Sequence, residues 1–555
     1  MTASAAAADL AFVNSAVYTV DAARTWAQAV AVRGGRILAV GTDATVREHV
    51  GPHTEIVDLR GRMLVPGFQD AHVHPVSGGI DMLQCDLHEL HGLAEYQEAI
   101  KSYADSYPER EWILGGGWSM DVFPAGSPTK ELLDAVVPDR YVFLPSRDGH
   151  STWVNSKTLE LASLTKDTAD PSDGRIERDA AGGPSGTLHE GADDLVGRFV
   201  PQASADEVYT GLLRGQGYLH SLGITAWQDA NVDPASGHFE AYLAAAGRGA
   251  LTARVIGALW WDRHRGAEQI EALADLRKRS AVGRFQATSV KILQDGIVEN
   301  FTAATLTPYL DRNGAETENA GISMVEPEAL KGYVTELDAR GFQVHFHALA
   351  DRAVREGLDA IEAARRSNGP NDHRHHLAHL QIIHPDDLHR FRELGAVANI
   401  QALWAAHEGQ MDELTIPFLG QERAGWQYPF ASLARAGAVL AMGSDWSVST
   451  PDPFDQMHVA VNRVMPPDYL YGHGEEEIFL PDERIDLPAA IAAFTMGSAY
   501  VNHLDLETGS IETGKYADLT VIDRNIFENP VEEIGDARVD LTYVEGGRVY
   551  TSASA

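Results

Sequence analysis

The two histidines at His72 and His74 are the feature of this sequence best suited to bind a metal ion. Side chains two residues apart on a β-strand point to the same face, so both imidazoles can reach one ion. One His-x-His pair is weak evidence by itself, because a chain with 23 histidines contains such pairs by chance. The surrounding PGFQDAHVHP strengthens it, since Pro and Gly precede the pair and Pro follows it, as where a strand enters a loop.

Four further side chains of metal-binding type lie at or near the ends of predicted strands. Each has an ordinary structural interpretation as well, because a buried His is often a hydrogen-bonded core residue and a strand-end Asp often caps the next helix. Their joint occurrence favours a metal site. They are Lys291 in SVKIL, His347 at the end of GFQVHFH (where His345 shares the strand face and is a competing ligand), His379 at the end of RHHLAH, and Asp445 at the end of AVLAMGSD.

The segments that hold these residues alternate with amphipathic helices, which predicts a parallel α/β architecture. Eight candidate strands fit a (β/α)8 TIM-like barrel, in which catalytic residues lie at the carboxyl ends of the strands. The ligand types fall at those ends. The candidate strands are 63–74, 223–229, 253–261, 288–293, 341–347, 374–380, 396–402 and 438–445.

Both ends of the chain show short alternating apolar and polar runs bounded by turn residues. Each set is too small to be stable alone, so we expect residues 1–62 and 500–555 to combine in one small β-sandwich. The gap between His74 and Gly223 is several βα units long. It predicts an inserted segment over 80–205 that covers the active-site mouth, with an exposed turn or hairpin at 171–186, and leaves 63–79 and 206–499 for the barrel.

Composition and charge exclude several classes of protein. Of 555 residues, 44% are hydrophobic and 22% charged, which is ordinary for a folded chain and excludes collagen, coiled coil and disorder. The formal net charge of −36 disfavours nucleic acid and anionic membranes as partners. Cys85 is the one cysteine, so neither a disulfide nor a thiolate zinc site forms within the chain. No apolar run reaches the roughly 18 residues of a membrane helix, and the N-terminus lacks the basic start of a signal peptide, so we expect a cytoplasmic protein.

Motifs along almost the whole chain resemble the amidohydrolase superfamily of metal-dependent hydrolases. They are most similar to its YtcJ-like branch, which includes N-substituted formamide deformylases. Together the motifs are specific for the branch and not for a substrate. They are PGFQDAHVHP, GHSTWVNS at 149–156, GITAWQDA, VKILQDGIVENFTAA at 290–304, VHFHALADRAV at 344–354, HLAHLQII, GSDWSVSTPDPF at 443–454 and the C-terminal GSIETGKYADLTVID.

This resemblance implies a ligand set of one or two divalent metal ions. It places His72 and His74 on a more buried ion with Asp445, and a second ion on His347 and His379. Lys291 would bridge the two ions if carbon dioxide carboxylates its amine. An unmodified ammonium beside two dications is unfavourable, so a Lys291 that points into the mouth is either carboxylated or accompanied by a single ion. Imidazole and carboxylate ligands without thiolate suit Zn, and also Mn, Fe, Co or Ni.

The predicted reaction is hydrolysis of a non-peptide C–N bond in a small amide, with an N-substituted formamide as the most concrete substrate. Metal-bound hydroxide attacks the carbonyl carbon, and Asp445 takes up a proton and then delivers one to the leaving nitrogen. Eight further residues are expected around the substrate. They are His150, Trp153 and Asn155 in the insertion, Trp118, Trp404 and Trp446 as apolar walls, and Asp295 and Glu299 as positioning groups or acceptors for the ligating histidines.

Two alternatives remain open from the sequence. The first is another reaction of the superfamily, such as deamination, carbamate or cyclic amide hydrolysis, isomerisation or decarboxylation. One-metal deaminases of the superfamily usually carry a Glu shortly after the strand-five His, whereas Ala348, Leu349 and Ala350 follow His347. The second is a non-catalytic barrel that binds a small molecule. The presence of a suitable residue at every expected ligand position counts against this alternative. The resemblance is compatible with a homodimer, which nothing in the sequence fixes.

Overall fold

The N-terminal part of the chain forms short strands around one short helix. The computed structural model describes residues 7–472 and 477–553, so residues 474–476 of the acidic run at 474–479, which we interpret as a solvated face, lie outside it. This part contains β1 (Leu10–Val13), β2 (Ala16–Tyr18), β3 (Trp26–Ala27), β4 (Ala29–Arg33), β5 (Arg36–Gly41), α1 (Asp43–Arg47), β6 (Glu55–Asp58) and β7 (Met63–Pro66).

The next part enters the barrel and then leaves it for the inserted segment. Its elements are β8 (Phe68–Val73), α2 (Pro75–Asp81), β9 (Cys85–Asp86), α3 (Leu93–Ser106), β10 (Trp112–Gly116), α4 (Lys130–Asp134), β11 (Tyr141–Pro145), β12 (Ser151–Val154), α5 (Ser156–Leu161), β13 (Gly174–Arg178), β14 (Pro184–Glu190) and α6 (Asp194–Gly197). Strands β9 to β14 form one sheet in the order β13-β14-β12-β11-β10-β9. The predicted hairpin is the antiparallel pair of β13 and β14.

The rest of the barrel alternates strands and helices. It contains α7 (Ala205–Ser221), β15 (Ile224–Val232), α8 (His238–Gly247), β16 (Arg254–Trp260), α9 (Ile270–Ser280), β17 (Phe285–Leu293), α10 (Pro327–Ala339), β18 (Gln343–Ala348), α11 (Asp351–Asn368), β19 (His376–His379), α12 (Arg390–Leu394), β20 (Val397–Ile400), α13 (Ile416–Ala424), α14 (Phe430–Ala436), β21 (Val439–Met442), α15 (Pro453–Asn462), α16 (Leu487–Ala492) and α17 (Ser498–Val501). The chain ends with β22 (Leu519–Ile522), β23 (Val539–Val544) and β24 (Gly547–Thr551).

Eight parallel strands form a nearly closed barrel in the order β8-β15-β16-β17-β18-β19-β20-β21. The predicted (β/α)8 fold is confirmed, and all eight candidate strands are present. The backbone N–H of Asp445, just beyond β21, donates to His72 O of β8 at 2.8 Å, which ties the last strand to the first. Fully buried side chains such as Phe346, which lies beside Gly357 of α11, fill the layer between the strands and the surrounding helices.

The first candidate strand, 63–74, is in fact two strands with different partners. Met63–Pro66 pairs antiparallel with β22, whereas Phe68–Val73 belongs to the barrel. The turn is at Gly67, where a Cβ atom would lie 2.4 Å from the Thr225 side chain. Residues 63–66 therefore lie in the sandwich sheet β24-β23-β22-β7-β2-β3, which packs with the sheet β5-β4-β1-β6. Both chain ends build the small β-sandwich, as predicted.

Helices α2 and α7 approach closely because glycines face each other at their contact. A Cβ atom on Gly79 would lie 1.9 Å from Gly211 O, and one on Gly215 would lie 2.2 Å from Pro75 O. Helix α2 begins directly after His74, which is its N-cap residue. The contact between the helices therefore fixes the backbone that carries a predicted metal ligand.

Substitution of Gly215 by Ala should destabilise the protein by about 1–3 kcal/mol, because the added methyl overlaps a backbone oxygen that cannot move alone. The matched control is Gly217→Ala on the same helix, where no atom of the described part of the chain lies within 4 Å of the new Cβ. Since Ala favours a helix over Gly by about 1 kcal/mol, that variant should be as stable as the wild type or more so. Thermal unfolding of both variants checks this. Equal shifts of the unfolding temperature in the two variants would show that the close approach of α2 and α7 contributes nothing to stability.

No helix in the described ranges 7–472 and 477–553 is long and apolar enough to cross a membrane.

Candidate metal centre and active site

Three predicted ligands meet at the carboxyl ends of β8 and β21. His72 Nε2 and His74 Nε2 lie 3.1 Å and 3.0 Å from the same oxygen, Asp445 Oδ1, and one ligand atom from each residue lies within 4.8 Å of the others. Burial lowers the pKa of His72 to about 3, so this ring is neutral and has a lone pair to offer. Burial alone would raise the pKa of Asp445, but the neighbouring histidines hold it well below its usual value, which keeps the carboxylate ionised.

Asp70 holds the two ligand-bearing segments together. Its carboxylate accepts hydrogen bonds from the backbone N–H of His72 at 3.0 Å and from the Ser444 hydroxyl at 2.5 Å. Asp70 is fully buried, and burial raises its pKa to about 7 in spite of these donors. The sequence analysis did not identify this residue, although it lies two residues before His72 and so shares the strand face of the two histidines.

His347 and His379 form a second pair beside this cluster. Their ring centroids are 4.4 Å apart, and His379 Nδ1 is 3.9 Å from Asp445 Oδ2. The backbone of His379 (φ +77°) and of Asp445 (φ +57°) lies in the left-handed region, which is costly for residues other than Gly and is typical of functional sites. His347 Nδ1 is 3.2 Å from Asp295 Oδ1, so its Nε2 is left to face the cavity.

Lys291 projects from β17 into the same cluster. Its Nζ lies 3.2 Å from His72 Nε2, and the residue is only 3% exposed. Burial lowers the pKa of this amine to about 7, against the opposing attraction of Asp445 and Asp229. The structure therefore brings together all six predicted ligands: His72, His74, Lys291, His347, His379 and Asp445.

The unsatisfied atoms of this cluster fit a divalent cation. Among the residues that the structure describes, both ring nitrogens of His379 are buried without a hydrogen-bond partner, and Asp445 Oδ1 accepts no well-aligned hydrogen bond although two imidazole nitrogens lie close to it. Such atoms are costly to bury unpaired, and a cation between them would satisfy them together. The nitrogen and oxygen donors are those preferred by zinc and related ions.

A cavity of about 950 Å³ opens above the cluster, and three of the predicted substrate contacts line it. His150 and Glu299 contribute polar groups, while Trp404 stacks on the His379 ring with centroids 5.4 Å apart. Burial raises the pKa of Glu299 to about 7, and the Thr415 hydroxyl donates to its Oε1 at 2.9 Å. Tyr428 adds an aromatic surface to the same wall.

Four other predicted contacts do not line this cavity. Trp118 and Trp153 are fully buried against each other and Phe123 in the core of the insertion. Asn155 is the N-cap of α5, and its amide donates to Val137 O and Arg140 O. Trp446 packs against Gly78 and lines a neighbouring, smaller cavity. Large aromatic side chains in the insertion thus serve its core, because their area is best buried there.

Asp295 and His345 support ligands and do not contact the cavity. Asp295 accepts hydrogen bonds from the backbone N–H groups of Leu349 and Ala350 and lies against His347 Nδ1, which matches the predicted role of an acceptor for a ligating histidine. Burial raises the pKa of Asp295 to about 7, opposed by those amides. His345 Nε2 is 2.8 Å from His72 Nδ1, one layer below the cavity, so it is not placed to replace His347.

His150 is held by a carboxylate that the sequence analysis did not identify. Glu190, from β14, lies 3.0 Å from His150 Nδ1 and also accepts from the Thr302 hydroxyl. Burial favours the neutral imidazole, but the Glu190 charge outweighs it and raises the pKa of His150 to about 9. Burial likewise opposes the charge on Glu190, yet His150 lowers its pKa to about 2. No local signal near residue 150 indicates this partner, because the fold brings it from 40 residues away.

This ion pair predicts a pH dependence of stability. The stability contributed by His150 is fully present below pH 6.5 and is lost as the pH rises through about 9, whereas that of Glu190 is present above pH 4.5 and is lost as the pH falls through about 2. Chelator-treated protein should therefore lose thermal stability as the pH rises from 6.5 through about 9. His150→Gln should remove this part of the dependence of stability on pH. The exposed His389→Gln serves as control and should follow the wild type. Parallel curves for all three proteins would contradict the assignment.

Comparisons with known proteins identify relatives over nearly the whole chain. The model of the Amidohydrolase family matches residues 55–550. The chain is 32% identical to Protein LONG AFTER FAR-RED 3 of Arabidopsis thaliana, over 98% of this chain and 92% of that protein. It is 29% identical to the N-substituted formamide deformylase of Arthrobacter pascens, over 97% of each. A solved structure of an uncharacterized metal-dependent hydrolase from Pyrococcus furiosus has the same fold, with a TM-score of 0.71 at 24% identity over 93% of this chain and 99% of that one.

The family match covers most of the chain, and it confirms the resemblance drawn from the motifs. The chain therefore belongs to the Amidohydrolase family of hydrolases.

Proposed function

We propose that the chain hydrolyses a non-peptide C–N bond in a small amide, with an N-substituted formamide as the substrate class and Zn²⁺ as the metal. The observation that carries this proposal is the group formed by His72, His74 and Asp445, with the unpartnered His379 beside it, at the floor of a cavity of about 950 Å³. The similarity to a formamide deformylase over nearly the full length supports the substrate class.

Each protein group at the floor has a definite task. A divalent ion held there supplies Lewis-acid chemistry, since it lowers the pKa of water and polarises a carbonyl. The ionised Asp445 carboxylate accepts a proton from the attacking water at Oδ2 and then donates it to the leaving nitrogen, two steps that one carboxylate performs in sequence. His72 and His74, whose Nε2 atoms lie 3.1 Å and 3.0 Å from Asp445 Oδ1, would hold the ion together with that oxygen.

The walls orient the substrate above that floor. His150 lines the cavity with its ring centroid 5.2 Å from that of His347, while Glu190 holds its Nδ1. Its Nε2–H is therefore free to donate to a carbonyl oxygen of the substrate. Trp404 and Tyr428 offer apolar surface to the substituent on nitrogen, and the cavity is large enough to hold a benzyl or alkyl group.

The proposal is tested by elemental mass spectrometry and by amine release. The protein is purified without chelator, and amine release is measured on N-benzyl and N-alkyl formamides, the matching acetamides and the matching carbamates. We expect about one or two Zn-type ions per chain and preferential turnover of the formamides. The variant His150→Gln should lower kcat/KM for formamide hydrolysis by about 10-fold or more, because it removes a charged hydrogen-bond donor.

Three results would redirect the proposal. Absence of any transition metal after reconstitution would exclude the metal-dependent mechanism. Metal with turnover of carbamates or cyclic amides alone would retain the site and overturn the formamide assignment. Metal without turnover of any member of the panel would favour a different reaction of the family.

A further inference from the structure

The barrel interior below the metal ligands contains a chain of hydrogen bonds whose direction is fixed at one end. Gln343 Nε2 donates to two backbone carbonyls, Arg374 O at 2.9 Å and Val501 O at 2.7 Å. A backbone carbonyl only accepts, so this end of the Gln343 amide must be its NH₂ group. The Gln343 Oε1 atom is therefore an acceptor.

The orientation of Gln343 fixes that of Gln228 on β15. The atom of Gln228 that faces Gln343 Oε1 at 3.0 Å must donate, so it is Nε2, and Oε1 points the other way. Gln228 Oε1 lies 2.7 Å from His345 Nδ1 and 2.9 Å from His376 Nε2. An amide oxygen carries no proton, so each of these ring nitrogens must carry one.

The proton on His345 decides the tautomer of a metal ligand. A neutral His345 with its proton on Nδ1 has a lone pair on Nε2, which lies 2.8 Å from His72 Nδ1. His72 must then carry its proton on Nδ1, and its Nε2 presents a lone pair to the cluster. Asp445 Oδ1 lies 3.1 Å from that same nitrogen, so two electron-pair donors face each other where a cation would bind.

We infer that Gln228 and His345 are positioning residues that hold His72 in the tautomer able to bind metal. Two hydrogen-bonded imidazoles can each be donor or acceptor, so this pair alone leaves the tautomer undecided. The amide oxygen of Gln228 removes the ambiguity. Ligating histidines usually donate to a carboxylate, a carbonyl or water, and here another imidazole takes that role and needs its own support. The inference rests on the metal centre of the proposed function.

His376 provides a matched control within the same network. It donates to the same oxygen of Gln228, is equally buried, and packs against His345 with ring centroids 3.9 Å apart. Its other ring nitrogen faces the Asn399 amide at 3.3 Å and not His72. Removal of His376 thus perturbs packing as much as removal of His345 does, while the hydrogen bond to the metal ligand stays.

The test is a titration of chelator-stripped full-length protein with Co²⁺, whose visible d–d absorption reports the coordination sphere. His345→Phe and Gln228→Met should raise the Kd for Co²⁺ by about 10–100-fold, the range found when supporting partners of metal ligands are removed, and should change the spectrum at saturation. His376→Phe should leave both unchanged. Thermal unfolding of the metal-free proteins identifies folded variants, and Gln228→Met, which alters no atom touching His72, decides the test where His345→Phe does not fold.

The outcomes separate this inference from the proposed function. Equal losses of affinity in the two Phe variants would show that the network contributes packing alone, and unchanged affinity in His345→Phe and Gln228→Met would also overturn the inference. A wild-type chain that binds neither Co²⁺ nor Zn²⁺ would overturn the metal centre itself and the inference with it.

Discussion

Replacement of Asp445 by Asn should lower kcat/KM for amine release by about 10³- to 10⁴-fold, the upper range for loss of a group that moves protons. The substitution keeps the shape and one oxygen of the side chain, but it removes the charge that lies between His72 and His74. An amide neither accepts the proton of the attacking water nor returns it to the leaving nitrogen. Metal content should fall as well, because a neutral oxygen is a weaker ligand than a carboxylate.

The measurement combines amine release with metal analysis of the same preparation. Asp233→Asn is the matched control, since Asp233 lines the same cavity and accepts hydrogen bonds from Ala235 N and Ser236 Oγ, away from the ligand cluster. That variant should retain wild-type turnover and metal. A fully active Asp445→Asn would exclude this carboxylate from proton transfer.

If the wild type binds two ions, replacement of Lys291 by Met should leave one and lower kcat/KM by at least about 100-fold, since polarisation of a carbonyl by an ion is worth several kcal/mol. Carbon dioxide adds only to an unprotonated amine, and burial lowers the pKa of Lys291 to about 7, so the reactive form is abundant at neutral pH. The fraction carboxylated should fall as the pH drops below that value, because the ammonium form then dominates.

Native mass spectrometry tests this prediction, because it measures both the bound metal ions and the added mass of carbon dioxide. The wild type should carry the added mass of one carbon dioxide at neutral pH and lose it on acidification, while Lys291→Met should carry none. Lys331→Met, at an exposed ion pair on α10, is the control and should resemble the wild type. A wild type with one metal ion and no added mass would mean that Lys291 acts as a free amine beside a single ion.

Periodicity and fold rules account for the floor of the site. The same-face spacing of His72 and His74 and the strand-end positions of His347, His379 and Asp445 can be read from the chain because a barrel places all its carboxyl ends on one side. The same spacing extends back to Asp70, so this residue could also have been found. The strand break at Gly67 could not be predicted in this way. Residues 63–66 pair with β22, which lies more than 400 residues later in the chain, and nothing near Gly67 indicates that partner.

The walls of the site depend on long-range packing and are therefore harder to predict. Residue type alone does not separate Trp404, which faces the cavity, from Trp118 and Trp153, which pack inside the insertion. Glu190 meets His150 only because β12 and β14 pair. The sequence around Gln228 predicts an ordinary barrel strand residue. Its role follows only from the hydrogen bonds that two imidazoles donate to its side-chain oxygen in the folded structure.

The pairing of β7 with β22 also has a consequence for folding during translation. Residues 63–66 leave the ribosome long before their partner at 519–522, and at translation rates of about 5–20 residues per second the delay is roughly 20–90 s. During that time one edge of β7 has no native partner, and open strand edges are sites of intermolecular pairing. A nascent chain that stalls before residue 519 keeps this edge of β7 exposed, directly before the strand that carries His72, until β22 is synthesised and pairs with it.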